Sequence, residues 1–334
     1  MFAGIVAAIT WALETVVIGI ALAKSPLVNS VGEAIFLAPF VSTFIHDAFS
    51  ALFAWIYNGA RGKLGSVFKA LFKTKSGKWV VIAAVIGGPV GMTGYVMAVT
   101  YMGASIAAIA SAVFPAIGSV LAYIFLKEKM KWYQWVFLLL TLLGVYGLSY
   151  STDLAPRNYL LGILGAVLCA FGWGIEAVIL AKCLKDPEVT DEYALQIRQT
   201  TSALFYGAVI LPVLGLMGFK EGGLIPWAFT ANLFGNAGSI ILIIALAGLF
   251  ATVSYLFYYK AISQIGASKA MALNVTYTAW AMIFALILDV VWHLSDSAHA
   301  IAYPSALTIV CAVVVLVCSI FAAADFKDIF AKKN

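Results

Sequence analysis

The sequence predicts an all-α membrane protein of ten spans, and three observations carry that prediction. The 334-residue chain is 63% hydrophobic and 10% charged, with a mean hydropathy of +1.02, whereas a soluble domain is about 25% charged. Apolar runs of about 20 residues, the length a helix needs to cross roughly 30 Å of hydrocarbon, recur from end to end. These runs are continuous and do not alternate, which excludes barrel strands.

Spans are expected at residues 2–23, 34–57, 79–98, 103–126, 132–150, 159–181, 193–218, 238–260, 268–291 and 301–323. The first lacks a basic leader and a small-residue cleavage site and carries Glu14, so it reads as a span and not as a signal peptide. The third contains "GGPVGMTG", where Pro89 among glycines predicts a kink or a close backbone approach. The fourth, "GASIAAIASAVFPAIGS", is a row of small residues suited to intimate helix contact. Trp132, Trp135, Trp227 and Trp292 fit interfacial anchor positions.

Orientation follows from the connections. Arg61, Lys63, Lys69, Lys73, Lys75 and Lys78 lie between the second and third spans; Lys127, Lys129 and Lys131 follow the fourth; Lys182 and Lys185 follow the sixth. The odd-numbered connections hold only Lys24, Arg157 and Lys220 among acids. The excess of positive charge places the even connections and both termini in the cytoplasm, and the tail "DFKDIFAKKN" agrees. The net charge of +5 therefore reports topology, and no nucleic-acid partner is expected.

The halves repeat. Trp11-x-x-Glu14 matches Trp173-x-x-Glu176, "HDAFSALF" from His46 matches "RQTTSALF" from Arg198, and "AVTYMGAS" from Ala98 matches "AISQIGAS" from Ala261, with Tyr95 opposite Tyr258. The expected units are 1–152 and 153–334, five spans each. An odd number of spans inverts the second unit, the arrangement of alternating-access transporters with a substrate site at the repeat interface.

Charged side chains at bilayer depth cost roughly 2.5–3.5 kcal/mol or more and mark pathways. Trp11 with Glu14, and Trp173 with Glu176, each place an indole and a carboxylate on one helix face. Aromatic faces with negative charge suit an organic cation. A structural reading also stands, in which Glu14 pairs with His46 or Arg198. Tyr255 and the three-spaced stripe Asn274, Tyr277 and Trp280 are further cavity candidates, with packing as their alternative. His46 and Asp47 are candidates for a coupled proton; as helix neighbours they are expected to point in different directions.

No cofactor is expected. Cys169, Cys183, Cys311 and Cys318 lack metal-ligand spacing and read as core thiols, and no Walker sequence indicates ATP hydrolysis. An intramembrane enzyme would need a His/Asp/Ser constellation, whereas His293 and His299 fall in an outer connection. A channel, the other rival, would conduct without saturation.

The two five-span units, each opening with a tryptophan, resemble the drug/metabolite transporter superfamily and its EamA-type members, and "GASIAAIASAVFPAIGSVLAYIFLKEKM" looks like that group's end-of-repeat signature. A narrower resemblance, to LicB-like bacterial choline permeases, rests on "IHDAFSALF", "GGPVGM", "AVTYMGAS", "GWGIEAVI", "IRQTTS", "SYLFYYKAI" and "ALNVTYTAW". It implies import of choline or a similar quaternary ammonium compound across the bacterial cytoplasmic membrane. The matched site positions would be Trp11, Trp173, Glu176, Tyr255, Asn274, Tyr277 and Trp280. Glu14 departs from that pattern, where a small or neutral residue is expected, and would favour a more polar cation or proton coupling. The alternative is an exporter of amino acids or other metabolites or drugs, with Arg198 as the group for a substrate carboxylate. These expectations cover both a monomer and a homodimer.

Overall fold

The apolar runs become helices. The computed structural model of the chain describes residues 1–27, 37–102, 108–109, 111–150 and 158–325. Nine of its helices among the described residues are long and apolar enough to cross a membrane: Phe2–Leu22, Leu37–Ala60, Lys75–Met102, Trp132–Ser149, Tyr159–Cys183, Asp191–Leu216, Gly238–Ile265, Ala267–Ser295 and Ala306–Ala323. The shorter apolar stretch Phe114–Leu126 occupies the end of the expected fourth span. The start of that span, the 151–157 connection and the tail from residue 326 lie outside the described residues. Large apolar side chains such as Leu160, Leu216 and Leu242 are exposed on the helix exteriors. So much apolar surface is at home only in lipid, and the protein is a multi-pass helical membrane protein.

The helix ends are set by ordinary chemistry. Thr74, Asn158, Thr190 and Ser305 each accept a backbone N–H at a helix start, which satisfies a donor that the helix itself leaves free. The connection between the second and third spans contains a helix of its own, Leu64–Lys73, which buries only Val67 and Ala70 and exposes its lysines. Beyond the tenth span, Asp325 meets Lys131 and Lys269. Its hydrogen bond with Lys131 holds the carboxyl below the usual carboxylate range.

Packing follows a rule. The first span runs along the eighth and the third along the sixth, while the second crosses the seventh and the fifth lies against the tenth. The first also packs on the ninth, and the sixth on the fourth segment. Exchanging each span for the one five places along turns every one of these contacts into another of them or into itself.

Pro89 lies in a π-helical turn, Ile86–Val90, inside the third span. The glycines around it serve close approach. A Cβ on Gly87 would overlap the Glu176 carboxylate, and one on Gly94 would stand 2.6 Å from the Gly165 carbonyl oxygen. The ninth span is interrupted: Ala267–Asn274 ends, Val275 and Thr276 form a turn, and Tyr277–Ser295 begins. Thr276 Oγ1 donates to the Leu273 carbonyl at 2.7 Å and Thr278 Oγ1 to that of Val275 at 3.0 Å, the back-bonding that bends helices. This corrects the expected stripe, because Asn274, Tyr277 and Trp280 do not share one continuous helix. The fourth segment has the same turn at Ala112 and Val113, directly before Phe114.

Candidate functional site

Two first spans and two interrupted segments meet in the middle of the helical assembly. Trp11 and Trp173 stand edge to face with ring centroids 6.3 Å apart. Trp11 stacks on Tyr277 at 5.5 Å and meets Tyr255 at 5.5 Å and Tyr258 at 6.5 Å. Trp173 stacks on Tyr95 at 6.0 Å and takes Phe114 edge-on at 5.7 Å. Tyr258 and Tyr95 are repeat counterparts, and the same register pairs Tyr277 with Phe114. Each tryptophan therefore lies between equivalent rings from its own neighbourhood. The Trp173 indole also donates to the Gly87 carbonyl at 3.0 Å, anchoring it to the π turn.

These rings enclose a small space lined by Trp11, Phe114, Trp173, Glu176, Tyr255, Tyr258 and Asn274, with Ala177. Its volume is about 10 Å³, room for roughly one water. Asn274 is fully buried, and neither its Nδ2 nor its Oδ1 has a hydrogen-bond partner among the described residues. Buried amides are nearly always satisfied, so this side chain offers both a donor and an acceptor to the cavity.

A polar cluster backs the aromatic cage. Arg198 Nε donates to Glu176 Oε1 at 3.0 Å, and Tyr259 OH donates to the same oxygen at 3.3 Å. The Arg198 guanidinium lies 4.3 Å over the Tyr255 ring, and its Nη1 donates to Gln199 Oε1 at 2.6 Å. On the other side, His46 Nε2 lies 3.3 Å from Glu14 Oε1 and His46 Nδ1 lies 2.9 Å from Asp47 Oδ1. Ser202 Oγ donates to Asp47 Oδ2 at 2.5 Å, and Gln199 Nε2 donates to Ser50 Oγ at 2.6 Å. Asp47 Oδ2 is 3.9 Å from Arg198 Nη1, which links the two sides.

The cluster repeats the repeat. Glu14 pairs with His46 as Glu176 pairs with Arg198, and Asp47 with Ser202 as Gln199 with Ser50. Of the two partners expected for Glu14, His46 is the one beside it, while Arg198 goes to Glu176. One expectation is corrected: His46 and Asp47 do meet, because the imidazole folds along the helix to reach the neighbouring carboxylate. His46, Asp47 and Ser202 thus come together, but the serine bonds to the aspartate and not to the imidazole. A hydrolytic triad needs the imidazole between them to take the serine proton.

Of the expected site residues, Trp11, Trp173, Glu176, Tyr255 and Asn274 line the cavity, and Tyr277 stacks behind Trp11. Glu14, His46 and Asp47 belong to the polar cluster. Trp280 is half-buried and does not line the cavity. Sequence reading noticed Tyr258 and Tyr259 beside Tyr255 without placing them in the site, passed over Phe114, Ser50, Gln199 and Ser202, and took Arg198 only as a partner or an alternative. The signal for several of them was present in "RQTTS", a polar run in a span otherwise apolar.

Fold and site together define a multi-pass helical protein with a buried, aromatic, charge-bearing chamber at the meeting of its two halves. Residues 1–150 match the EamA-like transporter family. Protein LicB of Haemophilus influenzae (strain ATCC 51907 / DSM 11121 / KW20 / Rd) is 30% identical over 202 residues, which span 60% of this chain and 63% of that protein. A solved crystal structure of a protein matches with a TM-score of 0.68 at 16% identity, over 97% of this chain and 96% of the other; that is a likeness of fold alone.

Proposed function

We propose that the protein is a secondary transporter that carries a small organic cation, choline or a similar quaternary ammonium compound, into a bacterial cell by alternating access. The observation that carries this reading is the cage: Trp11, Trp173, Tyr255, Tyr258 and Phe114 surround a space that Glu176 and the unsatisfied Asn274 also line. Aromatic faces attract a cation through their quadrupoles, by about 2 kcal/mol or more when desolvated, and the carboxylate balances its charge. The sequence resemblance to LicB-like choline permeases supports the same substrate class, and the match to Protein LicB supports a transporter.

The architecture proposed is ten spans in two inverted units, residues 1–152 and 153–334, with both termini cytoplasmic. The exchange rule obeyed by the helix contacts and the paired interruptions of the fourth and ninth segments support it. Interrupted helices at a repeat interface are where such carriers bind their substrates.

Charge counting supports coupling to a proton. Glu14, Asp47 and Glu176 face one guanidinium, Arg198, and one imidazole, His46. With the imidazole protonated, one net negative charge remains, which a monovalent organic cation cancels. Uncompensated charge is expensive at bilayer depth, so the chamber changes access most easily with both bound. Arg198 is fully engaged by Glu176, Gln199 and the Tyr255 ring, which weighs against a role in gripping a substrate carboxylate and so against an amino-acid exporter.

The test is uptake into proteoliposomes. Radiolabelled choline should enter saturably and faster under an imposed proton gradient or inside-negative potential. Robust amino-acid efflux without saturable choline uptake would sink the proposal.

A further inference from the structure

The buried group that the proposed function leaves without a task is Arg198, which is 3% exposed in the middle of the protein. A permanently charged guanidinium taken out of water needs compensation, and here it finds two partners that the cage itself presents. Its Nε is 3.0 Å from Glu176 Oε1, and its Cζ is 4.3 Å above the Tyr255 ring. A carboxylate and an aromatic face are the same two features that recognise an organic cation.

From this we infer that Arg198 is a tethered competitor, occupying the cation subsite of the empty chamber until a substrate cation displaces it from Glu176 and Tyr255. The inference rests on the organic-cation reading proposed above. Two further observations point to displacement and not to a fixed ion pair. The cage holds only about 10 Å³ of free space, room for about one water, so an organic cation enters only if lining groups move. Arg198 also has somewhere to go. Asp47 Oδ2 already stands 3.9 Å from Nη1, and Gln199 Oε1 holds that same nitrogen, so a short swing exchanges one carboxylate partner for another.

The consequence is functional. With Arg198 on Glu176 the cage carboxylate is paired when the carrier is empty, so with the imidazole protonated the empty carrier returns with one uncompensated negative charge and not the two it would carry without Arg198. Substrate affinity is then a net quantity, the cage's attraction for the incoming cation less its attraction for its own guanidinium. Lysine would compete less well, because an ammonium lacks the planar face that stacks on tyrosine.

Choline is the probe. Its binding is measured by calorimetry on detergent-solubilised protein, and its net uptake and choline–choline exchange are measured in proteoliposomes. Arg198→Lys should bind choline about tenfold more tightly than wild type, in line with the loss of a desolvated cation–π contact. Arg198→Gln should bind more tightly still; exchange should persist, while net uptake into choline-free vesicles falls at least tenfold. Should Arg198→Gln fail to fold, the Arg198→Lys affinity decides alone. Wild type that binds choline, with affinity unchanged or weakened in the lysine variant, overturns the inference and leaves the cation reading standing. Exchange and net uptake falling together in a folded Arg198→Gln protein overturns it as well. Wild type that binds no choline overturns the cation reading and the inference with it.

Discussion

The two halves of the chamber are built to one plan and differ in the basic partner of their carboxylates. In the first half a carboxylate from the opening span, Glu14, meets His46 of the next span at 3.3 Å; in the second, Glu176 meets Arg198 at 3.0 Å. Histidine changes charge near neutral pH and arginine does not. The environments differ to match: Glu176 lines the aromatic cage, whereas Glu14 lies outside it against the imidazole. Each half thus sets a basic side chain beside its carboxylate, and in the function proposed above the first copy exchanges the proton while the second stands beside the cation. Asp47, in contact with His46 and 3.9 Å from Arg198, stands between the two copies.

That division of labour can be broken from either side. The largest effect is expected at Glu176→Gln, which should abolish choline uptake, a loss of at least about 100-fold, with the protein still folded as judged by size-exclusion profile and circular dichroism; wild-type uptake would return Glu176 to a structural role. Next, Trp11→Ala and Trp173→Ala should each weaken choline binding by about 10- to 30-fold, the measure of a desolvated cation–π contact, and calorimetry reads this directly. His46→Arg is the sharpest test, since it gives the first half's carboxylate the same basic partner as the second's. Uptake driven by membrane potential should survive, while stimulation by a proton gradient disappears; a retained response to the gradient would move the proton elsewhere.

The smallest effect is expected far from the chamber. Asp325→Asn should leave uptake unchanged and lower the melting temperature slightly at neutral pH. The folded-state carboxyl is held below its ordinary range by Lys131. Its stabilising contribution is therefore present above the unfolded carboxylate range and lost as pH falls through the folded value, so the variant and wild type should converge in acid.

Much of the chamber could be read from spacing. Helical spacing of three put each tryptophan beside its carboxylate, and the repeat placed the site at the interface of the two units, where Trp11 and Trp173 meet. What spacing could not convey was partnership across spans. Glu176 and Arg198 are 22 residues apart and on different helices, and only packing shows that they meet. Neighbouring side chains were also misjudged. His46 and Asp47 diverge along an ideal helix, yet a flexible imidazole closes the gap. The break after Asn274 escaped because threonine hydroxyls, and no proline or glycine, interrupt the helix there. Trp280, placed by the three-residue stripe, falls on the far side of that break.

The edge-to-face contact of Trp11 and Trp173 has a practical consequence. Two indoles at 6.3 Å behave as coupled chromophores, so the pair has a near-ultraviolet signature of its own. The proposed cation, if it enters between the rings, must part them, and its binding would then be read from that signature without an attached dye.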